Sequence, residues 1–224
     1  METMTIQSMP NRNRLYRAAN ILALITIYYN ILEGIFSVGF GASDETFALF
    51  GFGLDSFVEV ISGVGVWHMI RRIRKAGNAG PDAFERRALQ ITGTAFYTLA
   101  AGLIITGGLS LFQGHEPETT FWGIVIALIS ICSMWLLIHY KVKVGKALDS
   151  QAILADAACT RTCLFLSVVL LLASAGYELT GIAGLDAAGA VVIAGFAFHE
   201  GHEAFEKSRG KACSCSACPA CHKN

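Results

Sequence analysis

Apolar residues are grouped along the chain into six long stretches separated by short polar segments. Each stretch holds about 20 mostly apolar residues, the length that an α-helix needs to cross the hydrocarbon core of a bilayer. The last stretch is the weakest, because its end turns polar in HEGHEAFE. The pattern predicts an all-α, polytopic membrane protein with six transmembrane helices. The predicted spans are 17–39, 47–70, 89–111, 121–140, 152–175 and 183–205.

Basic residues are confined to alternate segments between these spans. All but one of the 17 Lys and Arg residues lie in the N-terminal segment or after the second, fourth or sixth span. Because cytoplasmic segments carry the excess of Lys and Arg, both termini are predicted to be cytoplasmic. A cleaved signal peptide is the alternative for the first span, but that span is too long and carries Asn30 and Glu33. The exception, Arg161, lies inside the fifth span.

The composition supports a membrane location and excludes other classes. Only 15% of the residues are charged, against roughly 25% in soluble domains. The formal net charge is zero, so no basic field is available for nucleic acid, and the expected partners are membrane lipid and ions. Four of the 7 Cys residues crowd the C-terminal end, which is typical of metal or redox chemistry rather than of a disulfide scaffold. We expect the inner or plasma membrane of the cell.

Two predicted spans carry ionisable side chains, which are costly in lipid and therefore indicate function. Asp55 and Glu59 are four residues apart on the second span, so they share one helix face and repel each other unless a cation, a proton or an Arg lies between them. On the fifth span, Asp156, Cys159 and Cys163 lie within about 60° of one another. The structural alternative is an Asp that hydrogen-bonds a neighbouring helix and Cys residues that only fill space, as we expect of Cys132.

Arg161 points away from that face, roughly 140° from Asp156. Either its side chain extends toward the membrane surface, or it pairs with Glu178 or Glu33. The sequence does not choose among these.

If the two faces meet, Asp55, Glu59, Cys159 and Cys163 form a site with two carboxylates and two thiolates. Four such ligands suit a tetrahedral ion. The mixture of soft and hard ligands favours Zn²⁺ or Cd²⁺, with Fe²⁺ and Cu⁺ as alternatives. Counted from the span ends, Asp55 and Cys159 are each about a dozen ångströms deep, which brings both pairs near the middle of the bilayer.

The C-terminal segment KACSCSACPACHKN has the C-x-C and C-x-x-C spacings of a flexible metal-binding tail. Such a tail can collect Zn²⁺, Cd²⁺, Cu⁺ or Hg²⁺ from the cytosol and raise its concentration near the membrane. A redox-reactive or lipidated tail is the alternative. The candidate ligands are Cys213, Cys215, Cys218, Cys221 and His222.

A second polar cluster, HEGHE, marks the predicted cytoplasmic end of the sixth span. His199 lies three residues before His202 and four before Glu203, so these side chains can share an ion on one helix face. We consider a metal relay between tail and core, with a solvated helix end as the alternative.

The motifs LDSFVEV on the second span and ADAACTRTCLF on the fifth resemble the transmembrane domain of the cation diffusion facilitators, over about residues 15–207. The resemblance implies six helices with cytoplasmic termini, proton-coupled export of divalent metal, and a homodimer. It places Asp55 and Glu59 at two ligand positions, and Cys159 and Cys163 where the family has His and Asp. It also implies that Asp156 supports these ligands without direct contact or carries the proton, for which Glu59 and a thiol are alternatives.

The closest resemblance is to a short branch of that family without its C-terminal cytoplasmic domain. The implied organisation is a cytoplasmic segment 1–16, a six-helix transmembrane cation-transport domain 17–206, and a flexible Cys-rich, metal-binding tail 207–224. The predicted function is efflux of a Zn²⁺-like or softer metal by alternating access, without enzymatic chemistry. The alternatives are a membrane metal sensor or delivery protein that does not transport, and a membrane thiol oxidoreductase that uses Cys159 and Cys163.

Overall fold

The structure, a computed structural model, describes residues 9–44, 46–76, 83–113, 120–148, 151–182 and 184–209. Within these ranges the chain forms six helices and no strand, which confirms the all-α prediction. The helices are α1 Met9–Ser43, α2 Phe47–Ala76, α3 Ala83–Gln113, α4 Phe121–Leu148, α5 Gln151–Thr180 and α6 Gly184–Ser208.

Four of the described helices contain segments long and apolar enough to cross a membrane. In α3 the apolar segment is shorter, Leu89–Ile105. Large apolar side chains such as Ile25, Leu32 and Leu172 are exposed on the outer faces, as expected of surfaces that contact lipid. The protein is therefore an integral, multi-pass membrane protein. The four segments are Arg14–Ser43, Phe47–Arg72, Phe121–Leu148 and Thr160–Thr180.

The helices pack mainly in pairs, α1 with α2, α3 with α6, and α4 with α5. In addition, α2 contacts α3, α5 and α6, so it lies at the centre of the bundle. The largest buried apolar cluster joins α2, α3, α4, α5 and α6, through Phe52, Leu103, Ala127, Leu166 and Ile193 respectively. The central position of α2 brings its polar side chains into the protein interior.

Acidic side chains near two helix ends bind the free amide groups of neighbouring helices. Asp186 of α6 accepts hydrogen bonds from the backbone of Phe47 at 2.8 Å and of Ala48 at 3.2 Å, at the start of α2. Glu178 of α5 accepts one from the backbone of Thr120, just before α4. Unpaired amide groups at helix N-termini are costly, and negative charge there is stabilising, so these contacts fix the helix ends against one another.

Several helices are longer than the predicted spans. In particular, α4 continues past the predicted end at residue 140 and carries Lys141, Lys143 and Lys146, which the apolar pattern places in a loop. Lys143 and Lys146 are exposed, whereas Lys141 is buried. Lys141 can be buried in this extension because it has an acidic partner on α5, as described below.

Candidate metal site

Close packing of α1 against α2 places the first helix beside the predicted ligands. A Cβ atom on Gly53 of α2 would sit 2.7 Å from the backbone nitrogen of Val38 of α1. A Cβ atom on Gly41 of α1 would sit 2.5 Å from the backbone nitrogen of Phe50 of α2. Small residues allow membrane helices to approach this closely. Polar side chains of α1 thereby reach the face of α2 that carries the acidic pair.

Glu59 of α2 and Cys163 of α5 are in direct contact. The Cys163 thiol donates a hydrogen bond to Glu59 Oε1. Asn30 Nδ2 of α1 donates another to Glu59 Oε2 at 2.9 Å. Each carboxylate oxygen thus has a partner from a different helix. The contact lies near the middle of the apolar segment of α2, Phe47–Arg72.

Asp55 lies one turn from Glu59 on α2 and is only 2% exposed. Its Oδ1 atom has no hydrogen-bond partner within the described part of the chain. Asp55 and Glu59 both interact electrostatically with Glu33 of α1 and Glu200 of α6. Asp55 and Glu33 are buried, whereas Glu59 and Glu200 are partly buried, so four acidic side chains from three helices lie within electrostatic range of one another. Carboxylates this close repel when ionised, so protons or a cation must balance them.

Cys159, the fourth predicted ligand, lies on α5 one turn before Cys163, and its side chain is outside the described residues. Among the side chains that are described, no group of three or more His, Cys, Asp or Glu is arranged to hold an ion. The structure brings two of the four predicted ligands, Glu59 and Cys163, into contact and keeps Asp55 within electrostatic range of Glu59. The complete ligand set remains a prediction.

Glu33 is a buried acid outside the predicted ligand set. It is 6% exposed and accepts hydrogen bonds from the Tyr29 hydroxyl at 2.9 Å and from Ser56 Oγ at 3.0 Å. The Ser130 side chain of α4 also hydrogen-bonds to Glu33. Ser130 Oγ lies 2.7 Å from Ser167 Oγ of α5. This polar network links four helices directly beside the acidic pair.

Asp156 has a basic partner on α4. Its Oδ2 atom lies 2.9 Å from Lys141 Nζ, which also donates to Thr160 Oγ1 at 2.8 Å. Asp156 and Cys163 are seven residues apart on α5, about 10 Å along the helix axis. Asp156 meets α4, whereas Cys163 packs against α4 and also contacts Glu59 of α2. The predicted role of Asp156 as a support for the ligands or as a proton carrier stays a prediction.

Arg161 is exposed on α5. Glu178, one of the two partners considered for it, is on the same helix about 25 Å away, too far for an ion pair. Glu33, the other, accepts hydrogen bonds from Tyr29 and Ser56. The exposed position fits the remaining alternative, a side chain that extends toward the membrane surface.

The end of α6 carries two pairs formed by the His residues of HEGHE, in which the His side chains are exposed and the Glu side chains are partly buried. His199 Nε2 lies 3.4 Å from Glu203 Oε1, and His202 Nε2 lies 3.9 Å from Glu206 Oε1. Glu200 interacts instead with the buried acids of α2. One helix end thus carries surface pairs of metal-binding type and one acid directed to the core. The predicted tail ligands Cys213, Cys215, Cys218, Cys221 and His222 lie outside the described residues.

Comparison with known protein families identifies the family to which the chain belongs. The sequence profile of the cation efflux transmembrane domain matches residues 21–209. The chain belongs to the cation efflux family. It is accordingly a membrane transporter of metal cations, and the matched region contains every helix that supplies a candidate core ligand. A comparison with curated proteins finds no match.

Three polar residues of this cation efflux protein were absent from the predicted ligand set although they lie at or near the site: Asn30, Glu33 and Glu200. Asn30 and Glu33 carried a usable signal, because they interrupt an apolar span and polar groups inside a membrane need partners. Their spacing gave no sign that they face α2. Glu200 stands in a polar run, where its sequence context resembles an ordinary helix end.

Proposed function

We propose that the protein exports a Zn²⁺-like or softer divalent metal from the cytosol, in exchange for protons, by alternating access. The observation that carries this proposal is the direct contact between Glu59 of α2, which is partly buried, and Cys163 of α5, which is buried. A carboxylate and a thiol from two different helices meet inside the membrane, where neither stabilises the fold as an apolar pair would.

The proposed ligands are Asp55, Glu59, Cys159 and Cys163. Carboxylates and thiolates together suit Zn²⁺ and Cd²⁺ better than hard ions such as Mg²⁺ or purely soft ions such as Cu⁺. The ligands come from the second and fifth helices, so a relative movement of these helices opens or closes the site. This fits alternating access around a site near the middle of the bilayer.

The same contact supports proton exchange. A thiolate and a carboxylate in direct contact would repel each other, so in this proposal the Cys163–Glu59 pair holds a proton when no metal is bound. Thiolate and carboxylate bind a metal only after that proton has left. Metal and proton therefore compete for the same atoms, and protonation from the outer side releases the metal.

The polar groups at the cytoplasmic side supply the metal in this proposal. The tail collects it from the cytosol, and His199, His202 and Glu203 pass it toward the core. Glu200 interacts electrostatically with both acids of the site, which supports a path along α6. We also propose that the protein works as the homodimer that the family resemblance implies, which cross-linking in native membranes tests.

Uptake of Zn²⁺, Cd²⁺ and Fe²⁺ into proteoliposomes tests the function. We expect transport by the wild type, and its loss in Asp55→Ala and in the double variant Cys159→Ala/Cys163→Ala. Cys132→Ala is the matched control, because Cys132 is an exposed thiol on α4. Normal Zn²⁺ transport by the double variant would refute the proposed site. Binding without transport by the wild type would instead favour a sensor or delivery protein.

A further inference from the structure

Asn30 is a side chain of α1 that contacts the acidic pair of α2 directly. It is 1% exposed, and its Nδ2 atom donates to Glu59 Oε2 at 2.9 Å. Its other polar atom, Oδ1, is buried and has no hydrogen-bond partner among the described residues. Buried amide oxygens are normally paired, so an unpaired one beside a candidate metal ligand is itself informative.

The unpaired oxygen is close enough to share an ion with Glu59. The nitrogen and oxygen of an amide are about 2.2 Å apart. With Nδ2 in contact with Glu59, Asn30 Oδ1 therefore lies within about 5 Å of Glu59 Oε2. The terminal torsion of Asn is broad and roughly two-fold, so a rotation presents either atom to the same neighbour. Without a cation, the negative Glu59 carboxylate attracts the amide N–H of Asn30. A cation bound at Glu59 would instead attract the amide oxygen, because that oxygen is the acceptor atom of the amide.

Asp55, on the adjacent helix α2, also has an unpaired buried oxygen among the described residues. Its Oδ1 atom is likewise buried and without a hydrogen-bond partner in the described ranges. Two unsatisfied oxygens thus come from α1 and α2, one on a side chain that contacts the Glu59 carboxylate and one on the residue a helical turn before Glu59. Oxygen atoms in this arrangement are what a divalent cation requires, whereas hydrogen-bond donors are what a purely structural cluster would require.

We propose that Asn30 is an additional ligand of the transported ion and contributes its amide oxygen from α1. The proposal rests on the proposed function and extends its site from two helices to three. An amide oxygen is a harder ligand than thiolate, so it raises the affinity for Zn²⁺ without raising that for Cu⁺. The neutral amide also adds this ligand without adding another negative charge to four clustered acids.

The structural alternative is that Asn30 only holds Glu59 in position through Nδ2. Zn²⁺ binding to purified protein in detergent, measured by competition with a chromogenic chelator, separates the two roles. The background is the full chain with the tail ligands replaced by Ser, so that the tail does not contribute. The control is Asn20→Ala, because Asn20 lies about 15 Å further along α1 and also has a buried, unpartnered Oδ1 in the described part of the chain.

We expect Asn30→Ala to weaken Zn²⁺ binding by at least the roughly 10- to 100-fold that follows the loss of a residue supporting a ligand. A loss of this size fits both roles, and Asn30→Asp and the double-mutant cycle below separate them. Asn30→Asp keeps the oxygen and removes the donor, so it should bind Zn²⁺ at least as tightly as the wild type. Cu⁺ binding should be the same in all of these proteins. Asn20→Ala should match the wild type, which shows that loss of a buried amide alone has no effect.

A double-mutant cycle with Glu59→Ala provides the second test. A ligand continues to contribute when Glu59 is absent, so Asn30→Ala should still weaken binding in that background. Equal affinities of Glu59→Ala and the double variant would overturn the proposal, since Asn30 would then act only through Glu59. If Glu59→Ala binds too weakly to measure, Asn30→Asp decides: loss of Zn²⁺ binding overturns the proposal, and retention supports it.

Three further results complete the test. Unchanged Zn²⁺ affinity in Asn30→Ala would overturn the ligand role directly. If Asn30→Ala does not fold, as judged by size-exclusion chromatography, Asn30→Asp again provides the answer. Asp55→Ala reports on the proposed function independently: if it binds Zn²⁺ normally the whole site is wrong, whereas if it fails to bind while the Asn30 variants bind normally, only the role of Asn30 is wrong.

Discussion

Replacing Lys141 by Met leaves the Asp156 carboxylate buried without its partner. Lys141 is 1% exposed, and its ammonium group lies 2.9 Å from Asp156 Oδ2. Removing one member of a buried ion pair costs about 3–5 kcal/mol, because the remaining charge is neither solvated nor paired. At roughly 2–4 °C per kcal/mol for a chain of this size, the melting temperature should fall by about 6–20 °C.

Thermal unfolding in detergent measures this effect, with Lys143→Met as the matched control. Lys143 is exposed on the same helix, so its replacement should change stability by no more than about 0.5 kcal/mol. The double variant Lys141→Met/Asp156→Leu should recover most of the loss, since an apolar pair often replaces a buried ion pair without cost. If Lys141→Met is as stable as Lys143→Met, the buried pair between α4 and α5 does not exist as described.

Three further changes probe the helix contacts and the tail. Gly53→Ala should destabilise the protein by about 1–3 kcal/mol, because the new methyl group would sit 2.7 Å from the Val38 backbone nitrogen. Gly39→Ala, where a Cβ atom meets nothing within 4 Å, should not, and equal melting temperatures of the two would contradict the close α1–α2 packing. Asp186→Ala should lower stability by about 0.5–2 kcal/mol by leaving the Phe47 and Ala48 amides unpaired, whereas Asp186→Asn should retain part of that stability. Truncation before residue 211 should slow Zn²⁺ uptake at low metal concentration and leave the rate at saturating metal unchanged; abolished transport at saturation would show that the tail is part of the core mechanism.

The six helices were predictable because each apolar run is long enough to need backbone hydrogen bonds made within one segment, and only a helix supplies these in lipid. The contact between α2 and α5 was predictable in part. Glu59 is four residues from Asp55, and Cys163 is four residues from Cys159. The predicted spans place both of these pairs at a similar depth in the bilayer. Those two facts restrict which helix faces can meet.

The rotation of α1 about its axis was not predictable. It depends on close approaches at Gly41 and Gly53, and glycine alone does not reveal its packing partner. The contact of Asn30 with Glu59 depends on that rotation. The sequence therefore shows that Asn30 is a polar residue in an apolar span, but it does not predict Glu59 as its partner. Lys141 was assigned to a loop for a related reason. Its charge ends an apolar run, and its compensating partner Asp156 belongs to the next helix.

The central claim, that Cys163 and Glu59 ligate the transported metal, is tested most directly by the absorption spectrum of the Co²⁺-loaded protein. Co²⁺ accepts the same ligands as Zn²⁺, and a thiolate ligand produces a charge-transfer band in the near ultraviolet. The protein is used with its tail cysteines replaced by Ser, so that only thiols of the membrane domain contribute. The account predicts a band that weakens in Cys163→Ser, shifts in Glu59→Ala and is unchanged in Cys132→Ser. A band that is the same in Cys163→Ser and in the parent protein would contradict it.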